Sequence, residues 1–242
     1  MLQRRLKTNF LFFFLPHSRY SSEFSYHLAR CLFALLKDEH SHSLVPGLEM
    51  KTAASAPASG ESEPRTQTKK IGFICSPTAY VAFRNLYPEI PPQPNEREHG
   101  MKIESYLFDH DERFSLLTLP QHTSGPSERF VQYDLNKPLI FPSPLEQQLD
   151  MVVIDPPYLN AETNLNIAQT VKKLLKSEQQ EGKVLLITGQ SISAQACEIY
   201  GNEKTGPLRR AEKLEVEHVG LQNDFGAWGN WDGVERFGGV QY

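Results

Sequence analysis

The sequence predicts an α/β fold built on a mostly parallel sheet, and three observations predict it. From Lys70 onward, short apolar runs alternate with amphipathic stretches. The runs are nearly continuous in Val, Ile, Leu and Phe, as strands covered on both faces are. Each run stops at a turn-forming or acidic residue, which is how strands end at the carboxyl edge of an open sheet.

Before the first strand, residues 23–37 read as an amphipathic helix capped by Ser22, with Phe24, Leu28, Cys31, Leu32 and Leu35 on one face. Residues 51–70 hold no Ile, Leu, Val or aromatic side chain, so residues 38–69 are expected to form a disordered linker or insertion. The region 70–242 is then expected to be the main domain. Its first strand is Ile71–Cys75, followed by a helix capped by Thr78 and running to about Tyr87. Lys102–Phe108 reads as a second strand, with loops at 88–100 and 115–129. Phe130–Tyr133 reads as a third strand and Leu149–Ile154 as a fourth. A helix from Asn160 to about Lys176 should bury Leu165, Ala168, Val171, Leu174 and Leu175. Lys183–Thr188 is the fifth strand, Ser193–Tyr200 a helix, and two last strands near 212–219 and 224–231 should pair antiparallel at the sheet edge.

Composition narrows the function classes. The chain has 242 residues, a net charge of −4, 39% hydrophobic and 22% charged residues. That balance argues against a dedicated nucleic-acid binder, which carries a basic excess. No apolar run reaches the length of a membrane-spanning helix, so no membrane association is expected. The three cysteines, Cys31, Cys75 and Cys197, fit no zinc spacing and read as reduced, buried thiols. No HExxH-like pattern occurs, so no metal is expected. Residues 1 to about 19 are basic with a Phe-rich burst. The burst is too short for a signal peptide. A mitochondrial presequence is one reading; the preferred one is translation of the pyrimidine-rich end of an intron.

Chemistry concentrates at the strand ends. Asp109, Asp134 and Asp155 each follow a strand, where an open sheet binds ligands. There is neither a GxGxxG nor a GxxxxGK[ST] cradle, so a phosphate-bearing nucleotide has no glycine loop to receive it. A nucleoside without phosphates needs none. The most informative stretch is Asp155-Pro156-Pro157-Tyr158, straight after the most apolar strand. Two prolines fix the backbone and remove two donors, which leaves carbonyls free to face a ligand. An entering amine would meet the Asp155 carboxylate and the Pro156 carbonyl, with Tyr158 as an aromatic wall. Acceptors that hold N–H groups aim the nitrogen lone pair, and the gain is one of orientation. The plain alternative is a Pro-rich turn that merely closes a strand.

Five blocks carry a resemblance: Ile74–Tyr80, Phe108–Phe114, Phe130–Asp134, Val152–Leu159 and Asn223–Asp232. They are similar to the elongation factor 1A lysine methyltransferase 1 family, once labelled N6-adenine-specific DNA methyltransferases, over about residues 20–235. The resemblance implies a Rossmann-like, seven-stranded methyltransferase sheet, mostly parallel with an antiparallel edge strand. It implies S-adenosyl-L-methionine as cofactor, translation elongation factor 1A as protein substrate, and a cytoplasmic location. By motif position, Ser76 and Pro77 would border the methionine end of the cofactor, Asp109 the ribose and Asp134 the adenine. Asp155, Pro156, Pro157 and Tyr158 would carry catalysis, and Phe225 and Trp228 would join the substrate wall. The chain departs from the family where a Phe-Trp-Tyr-Ser stretch is expected: only Tyr20-Ser21 remains.

Two other functions stay open at this point. An exocyclic adenine amine is not protonated at neutral pH, whereas lysine, with an ordinary pKa of about 10.4, must first lose a proton. The corner alone therefore suits a nucleic-acid base as well as lysine. The missing glycines after the first strand also fit a degenerate module that binds cofactor without catalysis.

Overall fold

The computed structural model describes residues 20–37, 68–88, 101–118, 129–176, 182–201, 206–218 and 224–239. The expectations for residues 1–19 and for nearly all of 38–69 lie outside these, except that Thr68 and Lys69 already belong to the first strand.

Seven strands form one sheet: β1 (Thr68–Ile74), β2 (Lys102–Asp109), β3 (Phe130–Gln132), β4 (Met151–Ile154), β5 (Lys183–Gly189), β6 (Arg209–Arg210) and β7 (Phe225–Gly229). Their spatial order is β3-β2-β1-β4-β5-β7-β6. β1 pairs in parallel with β2 and β4, and β3 and β5 extend the parallel set on either side. β7 runs antiparallel to β5 and to β6. This is the Rossmann-like sheet with an antiparallel margin. The reversed strand is second from the edge, and the two-residue β6 lies outside it. The order reverses at β1 and β4, so a crevice opens beyond their carboxyl ends, the usual ligand position in such sheets.

Alternate residues of each strand feed two cores. On one face α1 (Ser22–Lys37) and α2 (Pro77–Leu86) pack over Ile71, Phe73, Met151, Val153, Leu185 and Ile187. On the other, α3 (Ala161–Leu174) and α4 (Ser193–Tyr200) pack over Ile74, Phe108, Val152, Ile154, Val184 and Leu186. Side chains such as Leu28, Leu32, Phe73 and Phe83 are fully buried, each stabilising by roughly 2 kcal/mol before entropy is counted.

Several local expectations shift. Ser21, not Ser22, caps α1: its Oγ accepts from the Phe24 N–H at 3.0 Å. Leu36 rather than Leu35 completes the buried stripe. α3 buries Thr163, Asn164, Ile167, Thr170, Val171 and Leu174 and leaves Leu165 52% exposed. The expected face failed because Leu165 and Leu174 are nine residues apart, about 180° around a helix. Segment 212–218 does not form a regular strand. It buries Leu214 in the core and makes one antiparallel bridge, His218 to Tyr20. β6 lies earlier, at Arg209–Arg210. Among the described residues, no helix is long and apolar enough to cross a membrane.

Candidate active site

The carboxyl ends of β1, β2, β4 and β5 bring together residues that the sequence separates widely. Just beyond β1, Cys75 adopts φ of 54°, a left-handed conformation that a non-glycine residue rarely takes. This backbone turn replaces the glycine loop that the sequence lacks. It delivers Ser76 to the N-terminus of α2, where Pro77 is the first helical residue. Ser76, not Thr78, occupies the cap position, and its carbonyl accepts from the Tyr80 N–H at 3.1 Å. Its hydroxyl does not cap the helix. Ser76 is 1% exposed, and its hydroxyl lies beside the Tyr20 phenol.

Asp109 ends β2. Burial pushes its carboxyl up to about 6, although backbone N–H groups of its own turn oppose the shift. One of these, from Asp111, reaches Oδ1 at 3.0 Å. Asp111 itself is occupied by the Arg113 guanidinium and amide, so within this acidic turn Asp109 is the acid turned inward. Asp134 follows β3 and is committed to its own turn: Oδ1 accepts from the Asn136 N–H at 2.9 Å and from its side-chain amide at 3.2 Å. Both bonds fall on one oxygen.

Asp155 is 6% exposed, and its N–H donates to Ile74 at 3.1 Å, which ties the corner to the end of β1. Pro156 is buried, whereas Pro157 is exposed and Tyr158 is 62% exposed. Tyr158 thus stands at the mouth. The corner also depends on β5: a Cβ on Gly189 would meet Leu159 Cδ1 at 2.8 Å, so the glycine lets the chain after the diproline close onto the neighbouring strand. The Asn160 side chain then caps α3 by accepting from the Thr163 N–H at 2.8 Å.

The substrate-wall expectation divides. Phe225 pairs with Gly189 at the carboxyl end of β5 and is half-buried at the rim. Trp228 pairs with Leu186, deeper in the sheet, and belongs to the core under α3 and α4. Its ring lies where a Cβ on Gly226 would be, 2.7 Å away. Trp228 is therefore core packing and does not reach the rim.

Three further residues join this site. Tyr20 is 1% exposed; burial first and then the Asp155 charge push its phenol well above its ordinary pKa. Its hydroxyl lies beside the Asp155 carboxylate and the Ser76 hydroxyl. His218 lies in tilted ring contact with Tyr20, centroids 4.5 Å apart, and with Phe225 at 4.1 Å. Both its ring nitrogens are buried without partners. Thr188, one residue before the end of β5, has a buried, unpartnered hydroxyl too. Tyr20 was visible in the sequence as the remnant of an aromatic stretch. Nothing local marks His218, because only the cross-chain bridge to Tyr20 brings it here. Among the described residues, no group of three or more His, Cys, Asp or Glu is arranged to hold a metal.

A family model described as "Probable N6-adenine methyltransferase" matches residues 50–233. The EEF1A lysine methyltransferase 1 of Homo sapiens is 29% identical over 164 residues, which is 67% of this chain and 62% of that protein. A protein-lysine N-methyltransferase of Caenorhabditis elegans is 30% identical over 195 residues, 80% of this chain and 73% of that one. The protein-lysine N-methyltransferase EFM5 of Saccharomyces cerevisiae is 29% identical over 170 residues, 67% of this chain and 60% of its own length. The chain thus spans less than two thirds of the human and yeast relatives. With 184 of its residues inside the family model, the chain belongs to the probable N6-adenine methyltransferase family.

Proposed function

We propose that this protein is an S-adenosyl-L-methionine-dependent protein-lysine N-methyltransferase that acts on translation elongation factor 1A in the cytoplasm. The observation that carries the reading is the cluster of buried polar atoms around the diproline corner: Thr188 Oγ1 and both His218 nitrogens, which have no partner, and the Tyr20 and Ser76 hydroxyls beside Asp155. A site that only closed a strand would not leave Thr188 and His218 unsatisfied.

The donor set suits the cofactor. The N-terminus of α2 and the Ser76 hydroxyl favour a carboxylate, as helix N-termini do, so Ser76 and Pro77 would border the methionine moiety. Asp109 would accept from the ribose hydroxyls in its ionised form. The free oxygen of Asp134 would face the adenine amino group. When bound, the cofactor supplies an electrophilic methyl group. The chain's own work is to hold the amine. Asp155 and the Pro156 carbonyl accept its N–H groups, Pro157 keeps that carbonyl rigid, and Tyr158 and Phe225 flank the side chain. A lysine must arrive neutral, and an apolar wall opposes the charge that Asp155 favours. The aromatic faces would also hold a methylated ammonium.

The printed names of the relatives support a lysine of elongation factor 1A as target. The second reading, an adenine amine of nucleic acid, is favoured by the corner chemistry itself, which needs no deprotonation. The net charge of −4 weighs against it. The test is incubation of the protein with methyl-labelled S-adenosyl-L-methionine, elongation factor 1A and double-stranded DNA. Label on a lysine of the factor is expected. Label on DNA alone would replace the first reading with the second, and binding of cofactor with no transfer to either would leave a non-catalytic module.

A further inference from the structure

The contacts around Asp155 close into a ring. Tyr20 sits under the influence of Asp155, its ring meets His218 at a tilt, and His218 meets Phe225 in the same way. Phe225 pairs with Gly189, and Gly189 abuts Leu159, four residues after Asp155. The ring is held from both sides of the chain. Ser21 N–H donates to Glu217 at 3.0 Å, and the Ser21 hydroxyl donates to the Glu217 carboxylate at 2.7 Å. The Gln190 N–H, beyond β5, donates to Asp224 at 2.8 Å and fixes the approach to Phe225.

His218 is the anomaly in this ring. Two imidazole nitrogens without partners, both shielded from solvent, are a costly arrangement for packing alone. A phenylalanine would stack as well. We propose that His218 is an amine-binding residue of this site, accepting a hydrogen bond from the substrate nitrogen through a neutral ring nitrogen while Tyr20 and Phe225 hold the ring in place. The inference deepens the amine-methylation reading and rests on it.

The chemistry explains why a neutral acceptor belongs here. A carboxylate alone stabilises the ammonium, the form that cannot attack. An uncharged acceptor orients an N–H without adding negative charge. Burial holds the His218 pKa down to about 4, so the ring is uncharged near pH 7 and does not repel an incoming amine. No proton moves to or from the imidazole in this role.

Two measurements test it. In the first, the full chain saturated with S-adenosylhomocysteine is titrated with n-butylamine, and the His218 ring nitrogens are followed by nitrogen NMR. A saturable shift that n-butanol does not reproduce is expected; unchanged resonances would overturn the proposal. The second compares His218→Phe, which keeps an aromatic ring between Tyr20 and Phe225, with His218→Gln, which keeps an acceptor. His218→Phe should lose about tenfold in kcat/KM for the amine substrate, the scale of one buried hydrogen bond, while cofactor affinity stays within about twofold. His218→Gln should recover part of it. Equal kcat/KM in wild type and His218→Phe would overturn the role. A wild type that binds no S-adenosylhomocysteine would instead remove the proposed function and this inference with it.

Discussion

Two aspartates on one strand run, Asp150 at the entry to β4 and Asp155 at its exit, are buried to 4% and 6%, yet their surroundings differ in kind. Asp150 is saturated. Lys176 Nζ lies 2.6 Å and Lys69 Nζ 3.6 Å from Oδ1, and the Lys70 N–H donates to Oδ2 at 2.7 Å. Beside Asp155 lie the Tyr20 and Ser76 hydroxyls, and nearby Thr188 and His218 keep buried polar atoms without partners. The amino end of the sheet is finished as a structure; the carboxyl end is left with polar atoms to satisfy. The difference teaches that burial of a charged group does not by itself mark a site. What marks it is the unmet hydrogen-bonding capacity nearby.

The largest expected effect is at the finished end. Asp150→Ala strands Lys69, whose pKa burial already lowers, and should cost about 3–5 kcal/mol by chemical denaturation. A loss under about 1 kcal/mol would erase the contrast. At the other end, Asp155→Ala should lower methyl transfer at least about 100-fold, roughly 2.7 kcal/mol in the barrier, with unfolding free energy changed far less than by Asp150→Ala. Retained activity would remove Asp155 from the mechanism.

Asp109 sharpens the comparison through pH. Its folded pKa of about 6 lies above the ordinary 3.8, so the folded state disfavours the charge. Stability from this group is fully present below about pH 4 and is lost as pH rises through 6. Asp109→Asn should therefore stabilise the cofactor-free protein by up to about 3 kcal/mol at pH 7, a gain that vanishes below pH 4. The same change should weaken cofactor binding. Destabilisation at pH 7 would mean that the carboxylate is structural.

The smallest effect concerns Ser76. Its hydroxyl caps nothing, so Ser76→Ala escapes the usual cost of losing a cap and should raise stability by about 1 kcal/mol, again with loss of cofactor affinity. A drop of similar size in thermal denaturation would show that the hydroxyl has a structural partner.

The fold was legible because the strands are nearly pure apolar runs and each ends at a residue that stops it. Ile71, Phe73, Val152 and Leu186 announce strands on composition alone. The acids at the tips and the diproline were legible for the same reason, since they sit next to those runs. Two kinds of feature were not. Leu165 was assigned inward because three-residue steps drift around a helix, and only packing against β4 fixes which side faces in. His218 joins the site through a bridge to Tyr20, 198 residues away, and no local pattern encodes that pairing. Trp228 misled for the opposite reason: its motif is rim-like, but its register opposite Leu186 carries it into the core.

The most direct test of the unfinished carboxyl end is isothermal titration of the protein with S-adenosyl-L-methionine, beside Asp109→Ala. One saturable site in the wild type, lost or weakened at least about tenfold in Asp109→Ala, is the predicted result. No binding to the folded wild type, or equal binding to both proteins, would contradict it.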